Sequence, residues 1–153
     1  MYSPVHSLTS QFLFANQLVD VKLIAGIMII RMLPVLFVTV AAIAYAAYVE
    51  GAGAYALRNA IPMLLVIIIS ALTLFKGAGR WTGAGWSWPL GTLGFALPAL
   101  GLSLYLHYGY SVDLDGMYSE SVYPRELFRY LPAYTMGAGA IGFAIGWIVG
   151  RNV

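Results

Sequence analysis

The chain reads as an all-α integral membrane protein: four transmembrane helices preceded by an N-terminal interfacial amphipathic helix. Three observations predict this. The 153 residues are 61% hydrophobic and 9% charged, with a mean hydropathy of +0.81, far from the balance of a soluble domain. Four spans of about 20 residues each leave no room for a separate soluble domain. The aromatic residues also sort by side. Tyr45, Tyr48, Tyr55, Tyr105, Tyr108, Tyr110, Tyr118, Tyr123, Tyr130 and Tyr134 fall on one side of the spans, and Trp81, Trp86, Trp88 and Trp147 on the other. Amphipathic rings gather at membrane–water boundaries, and an odd span count would scramble that partition.

The N-terminal segment is predicted as an interfacial helix over about residues 9–31. Its first half mixes Phe12, Leu13 and Phe14 with Asn16, Gln17, Asp20 and Lys22, whereas Leu23 to Ile30 is wholly apolar. A span across Phe12–Ile30 would bury Asp20 and Lys22, each at roughly 2.5–3.5 kcal/mol on the insertion scale. An i,i+2 pair does not share a helix face, so the two charges would not neutralise one another. The alternative is that Leu23–Ile30 lengthens the first span.

The first span is placed at about 32–49. Pro34 disfavours helical geometry at Leu33 and predicts a break before it. The second span, about 60–75, is strongly aliphatic, with Pro62 in its first turn and Arg58 and Lys76 as brackets. A glycine-rich loop, Lys76 to Gly85, leads to the third span at about 86–108, where internal Pro98 predicts a kink. A polar segment, Gly109 to Arg129, ends in a short amphipathic turn at Pro124–Arg129. Pro132 then opens the fourth span, about 130–150, which Arg151 anchors.

Lys22, Arg31, Lys76, Arg80 and Arg151 share the side of the N-terminus, opposite Arg58, Arg125 and Arg129. The positive-inside rule therefore predicts cytoplasmic termini in a plasma or inner membrane. The other side is acidic, carrying Glu50, Asp113, Asp115, Glu120 and Glu126.

Four small residues at i,i+4, Ala138, Gly142, Gly146 and Gly150, let two helix backbones approach closely. The spacing serves internal packing and a partner face equally. Lys22, Arg31, Lys76 and Arg80 suit contact with anionic lipid. Two Gly-Ala-Gly units around Arg80-Trp81-Thr82 could form an anion nest, although a basic connector is the preferred reading because the motif recurs as local composition. His107 is expected beside the tyrosine ring at the interface. Histidines on opposite sides of a bilayer, His6 and His107, cannot share a haem or metal. Asp113-Leu-Asp115-Gly116 lacks the remaining ligands of a calcium loop.

No catalytic, cofactor-binding or metal-binding residue is predicted. Cysteine is absent, which excludes thiolate sites, and a net charge of +2 with scattered basic residues gives no nucleic-acid surface. With the first span beginning after Arg31, no Asp, Glu, Lys or Arg falls inside a span, which argues against a proton-driven pump or a membrane enzyme. The expected function is a non-catalytic subunit that scaffolds or stabilises a larger membrane complex of transport, respiratory or secretion type. Its expected partners are the lipid bilayer and a membrane protein or a second copy. A self-assembling pore or lysis-type channel is the alternative; a lipid-handling membrane enzyme is the weaker one.

Overall fold

The computed structural model describes residues 5–51, 55–116, 118–119, 123 and 125–153, and of residues 5–21 the backbone alone. Every regular element in it is helical. Helix α1 spans Val5–Glu50 and α2 spans Ala56–Lys76. Helix α3, Ser87–Ala96, continues through a π-helical segment, Leu97–Leu102, into α4, Ser103–Ser111; α5 spans Glu126–Gly150. Four stretches are long and apolar enough to cross a membrane: Lys22–Glu50, Ala56–Lys76, Ser87–Ser111 and Glu126–Gly150.

Two boundaries differ from the sequence expectation. The predicted break at Leu33–Pro34 is absent, because α1 runs through Pro34 without interruption. Leu23–Ile30 therefore join the first apolar stretch, and the separate element at 9–31 is part of one long helix. The predicted start of the fourth span at Pro132 is likewise passed over: α5 begins at Glu126 and absorbs the short turn expected at Pro124–Arg129, of which Pro124 lies outside the described residues. The reason is common to both. Running through a proline forfeits one backbone hydrogen bond, whereas a break in an apolar setting would strand several backbone groups with no water to take them, so the helix continues. Pro98 perturbs more, and its kink takes the form of the π segment.

Packing divides the bundle into a tight pair and an outrigger. Helices α3 and α5 lie closest, backbone to backbone. A Cβ at Gly142 would collide with the Gly94 carbonyl, one at Gly146 with the Leu90 carbonyl, and one at Gly150 with the Trp86 carbonyl. Each step of one turn along α5 meets a step of one turn back along α3, the register of an antiparallel pair. Trp88 and Trp147 cap this seam edge to face at 4.9 Å, and the Lys76 ammonium sits 4.6 Å above Trp88. Helix α2 joins α3 through Thr73 and Thr92, whose hydroxyls share a hydrogen bond at 2.6 Å. Helix α1 packs on α2 and α4 and is tied at two levels. Near the loop end, Arg31 Nη1 donates to the Gly79 carbonyl at 2.7 Å; at the other end stands Glu50.

Candidate functional site: a buried carboxyl, imidazole and amide

Glu50 is the last residue of α1. Gly51 follows in the left-handed region at φ 71, a conformation that ends helices and is cheap only for glycine. The chain therefore turns at once, leaving the Glu50 side chain against the start of α2. Asn59 lies in the opening turns of that helix, its amide bonded to the Tyr55 carbonyl at 2.9 Å.

His107 arrives from α4. Phe95, Ala99, Ser103 and His107 are all buried although they recur at strict i+4 spacing, which drifts by about 40° per step on a regular α-helix. The wider π turn between Leu97 and Leu102 takes up part of that drift and keeps Ser103 and His107 facing inward.

The three side chains converge on one oxygen. Glu50 Oε1 accepts from Asn59 Nδ2 at 2.6 Å and lies 2.7 Å from His107 Nε2. His107 is fully buried, and the Glu50 side chain is 3% exposed. Nδ1 of the imidazole is 2.7 Å from the Ser103 carbonyl. A carbonyl only accepts, so Nδ1 carries a hydrogen. The contact between Nε2 and Oε1 then holds one proton, giving either imidazolium with carboxylate or imidazole with carboxylic acid. Glu50 Oε2, Asn59 Oδ1 and Ser103 Oγ are buried without a hydrogen-bond partner, so the centre presents unspent oxygen acceptors around an exchangeable proton. Phe128 of α5 stacks at 4.9 Å over the imidazole, and Tyr110 backs Phe128 at 4.9 Å. All four long helices thus contribute, and the centre locks α1, α2 and α4 together. Among the described residues, no group of three His, Cys, Asp or Glu side chains forms a metal cluster.

His107 is therefore inside the protein rather than at the interface where the sequence reading put it. Glu50, read as part of an acidic outer surface, is its partner. The premise that the spans hold no ionisable contact fails at this one end. The clue available beforehand was weak: both residues terminate apolar runs on the same expected side.

The other predicted residues are dispersed. Gly142, Gly146 and Gly150 face α3 of the same chain, and Ala138 is half-buried one turn before them. Of the basic set, Arg31 holds Gly79, Lys76 lies on Trp88, and Lys22 and Arg80 are exposed. The amides of Gly77, Ala78, Gly79, Arg80, Gly83 and Gly85 all donate to nearby carbonyls, so the loop offers no nest at those positions. Asp113 instead organises its own turn, accepting from the Tyr118 and Ser119 amides at 2.9 and 3.0 Å.

No family model, curated protein or solved structure matches this chain.

Proposed function

We propose that this chain is a non-catalytic integral membrane subunit that scaffolds or stabilises a larger membrane assembly of transport, respiratory or secretion type. One observation carries the reading: beyond Arg31 only one side of α1 packs on its own chain, Ile24 and Ile27 against Gly79. The ties at Glu50 and Arg31 bracket a length of about 28 Å, one hydrocarbon thickness. Beyond Arg31, helix continues toward Lys22 for roughly 14 Å more, carrying Leu23, Ile29 and Ile30 at 62%, 63% and 67% exposure. An apolar ledge of this kind requires cover from an interface or a partner. Lys76, Arg80 and Arg151 share the end of the bundle marked by Arg31, which favours cytoplasmic termini in a plasma or inner membrane.

The test is a photo-crosslinking residue placed at Ile29 or Ile30 in native membranes. Capture of one unrelated membrane protein supports the subunit reading. Capture of a second copy transfers support to the self-assembling pore, and capture of lipid alone removes the basis for a partner at this ledge.

The buried Glu50–His107 contact favours a second reading, in which the subunit handles a proton for its assembly, since ionisable pairs inside spans mark such pathways. Glu50→Gln and His107→Gln should then depress proton-coupled activity of the assembly while its composition stays intact. Full activity in both variants removes this reading.

A further inference from the structure

We infer that the α1–α3 cleft is a binding site for one anionic phospholipid of the surrounding bilayer, its phosphate held by Arg31 and an acyl chain lying in the cleft below. The inference rests on the membrane-spanning reading and is independent of the subunit proposal. Helix α1 packs on α2 and α4 and leaves α3 at a distance, so a groove of about 370 Å³ opens between them with α2 as its floor. That volume falls within the range of about 300–1,000 Å³ typical of small-molecule sites. Its walls are Pro34, Val35 and Val38 on one side and Pro89, Leu93 and Ala96 on the other.

Polarity changes abruptly at one end. Arg31 precedes Pro34, Val35 and Val38 by three, four and seven residues, so all four share one face of α1 and Arg31 lies one turn beyond the lining residues of the groove. One of its nitrogens donates to the Gly79 carbonyl, two residues before Trp81 of the groove wall. A guanidinium has five donors in a planar fork that matches a phosphate, so most remain for a ligand. Trp81, whose indole suits the headgroup boundary, lines the same groove, and exposed Arg80 is its neighbour in the chain. Charge above an apolar slot is complementary to a lipid with a phosphate and an acyl tail. A partner helix would match the slot and leave the arginine without an anion.

The experiment is lipid retention by the full chain. The protein is reconstituted in vesicles of equal phosphatidylglycerol and phosphatidylcholine, extracted gently, and its retained lipid counted by native mass spectrometry. Wild type is expected to keep one phosphatidylglycerol in preference to phosphatidylcholine. Arg31→Gln should reduce that preference by about fivefold, the weight of one basic residue at a membrane surface. Val38→Trp fills the slot, leaves Arg31 in place, and should lose both lipids. Helical circular dichroism on each variant separates a lost site from a lost fold, and an excess of inorganic phosphate should displace nothing. Equal retention of the two lipids by wild type, unchanged preference in folded Arg31→Gln, unchanged retention in folded Val38→Trp, or displacement by free phosphate overturns the inference.

Discussion

Replacing Glu50 with alanine removes the oxygen on which two buried nitrogens converge. Asn59 Nδ2 and His107 Nε2 both address Oε1, at 2.6 and 2.7 Å, and both residues are at most 1% exposed. An unsatisfied buried polar group costs about 1–3 kcal/mol, two are left here, and in the imidazolium–carboxylate form breaking the pair from one side costs about 3–5 kcal/mol. The expected loss for Glu50→Ala is therefore about 3–5 kcal/mol, at the upper end for a single substitution. Glu50→Gln separates hydrogen bonding from proton exchange. With its amide oxygen in the Oε1 position it still accepts from Asn59 Nδ2 but takes no hydrogen from a neutral Nε2, so one buried contact is lost and the expected cost is about 1–3 kcal/mol. Replacing both members with apolar residues, Glu50→Leu with His107→Phe, leaves only the Asn59 amide unserved. The double variant should be more stable than Glu50→Ala despite carrying two changes, with a coupling of roughly 2 kcal/mol or more. Unfolding by SDS in mixed micelles, followed by helical circular dichroism, gives these values, with Glu50→Leu and His107→Phe measured singly to close the cycle. A Glu50→Ala loss within about 0.5 kcal/mol, the level of an ordinary surface change, would refute the closed centre. So would strict additivity in the double variant.

Three further outcomes follow from other parts of the molecule. Gly146→Ile places a side chain where the Leu90 carbonyl already lies, at a cost of about 1–3 kcal/mol or more. Gly137→Ala, which meets nothing within 4 Å, should be neutral or gain up to about 1 kcal/mol; the same SDS assay checks both, and equal effects would dissociate the stripe from α3. The Asp113 carboxyl is held below its ordinary value by the Ser119 hydroxyl first, then the Ser119 and Tyr118 amides. A depressed folded pKa gives a contribution present above the unfolded value and lost as pH falls through the folded one. Carboxyl titration by NMR should thus find Asp113 ionised after free aspartates have protonated, with the Tyr118 and Ser119 amides losing protection only below that point. Tags at Asn152 and Asp115 should label from opposite faces of intact cells, since α5 lies between them; labelling from one face would overturn the four-crossing reading.

What was legible in the sequence is what composition alone controls. Apolar runs of bilayer length located the four long helices, and the tyrosine and tryptophan sets mark opposite ends: Tyr45 reaches Ser111 at 3.3 Å while Trp88 meets Trp147. Proline misled twice for one reason. The rules that end a helix at Pro34 or begin one at Pro132 assume water ready to take the backbone groups that a break exposes, and an apolar bundle withholds it, so the one bond lost to proline is the smaller cost. Pro98 was read correctly as a perturbation, but its consequence was not visible. The π segment keeps Ser103 and His107 on the inward face, and nothing in the spacing of Leu97–Leu102 states that a turn will widen. The small-residue stripe was equally legible and equally incomplete, because i,i+4 spacing records that a backbone comes close without recording whose. The buried centre was the least accessible feature. Glu50 and His107 are 57 residues apart, each at the end of an apolar run, where a charged or amphipathic side chain is ordinary. Only the antiparallel return of the chain gives them a common depth, and only the α1 stop at Gly51 with the π turn in the third span turns them toward each other. The Glu50–His107 contact is thus a property of two helix irregularities acting together, one a glycine at positive φ and the other a proline inside a helix.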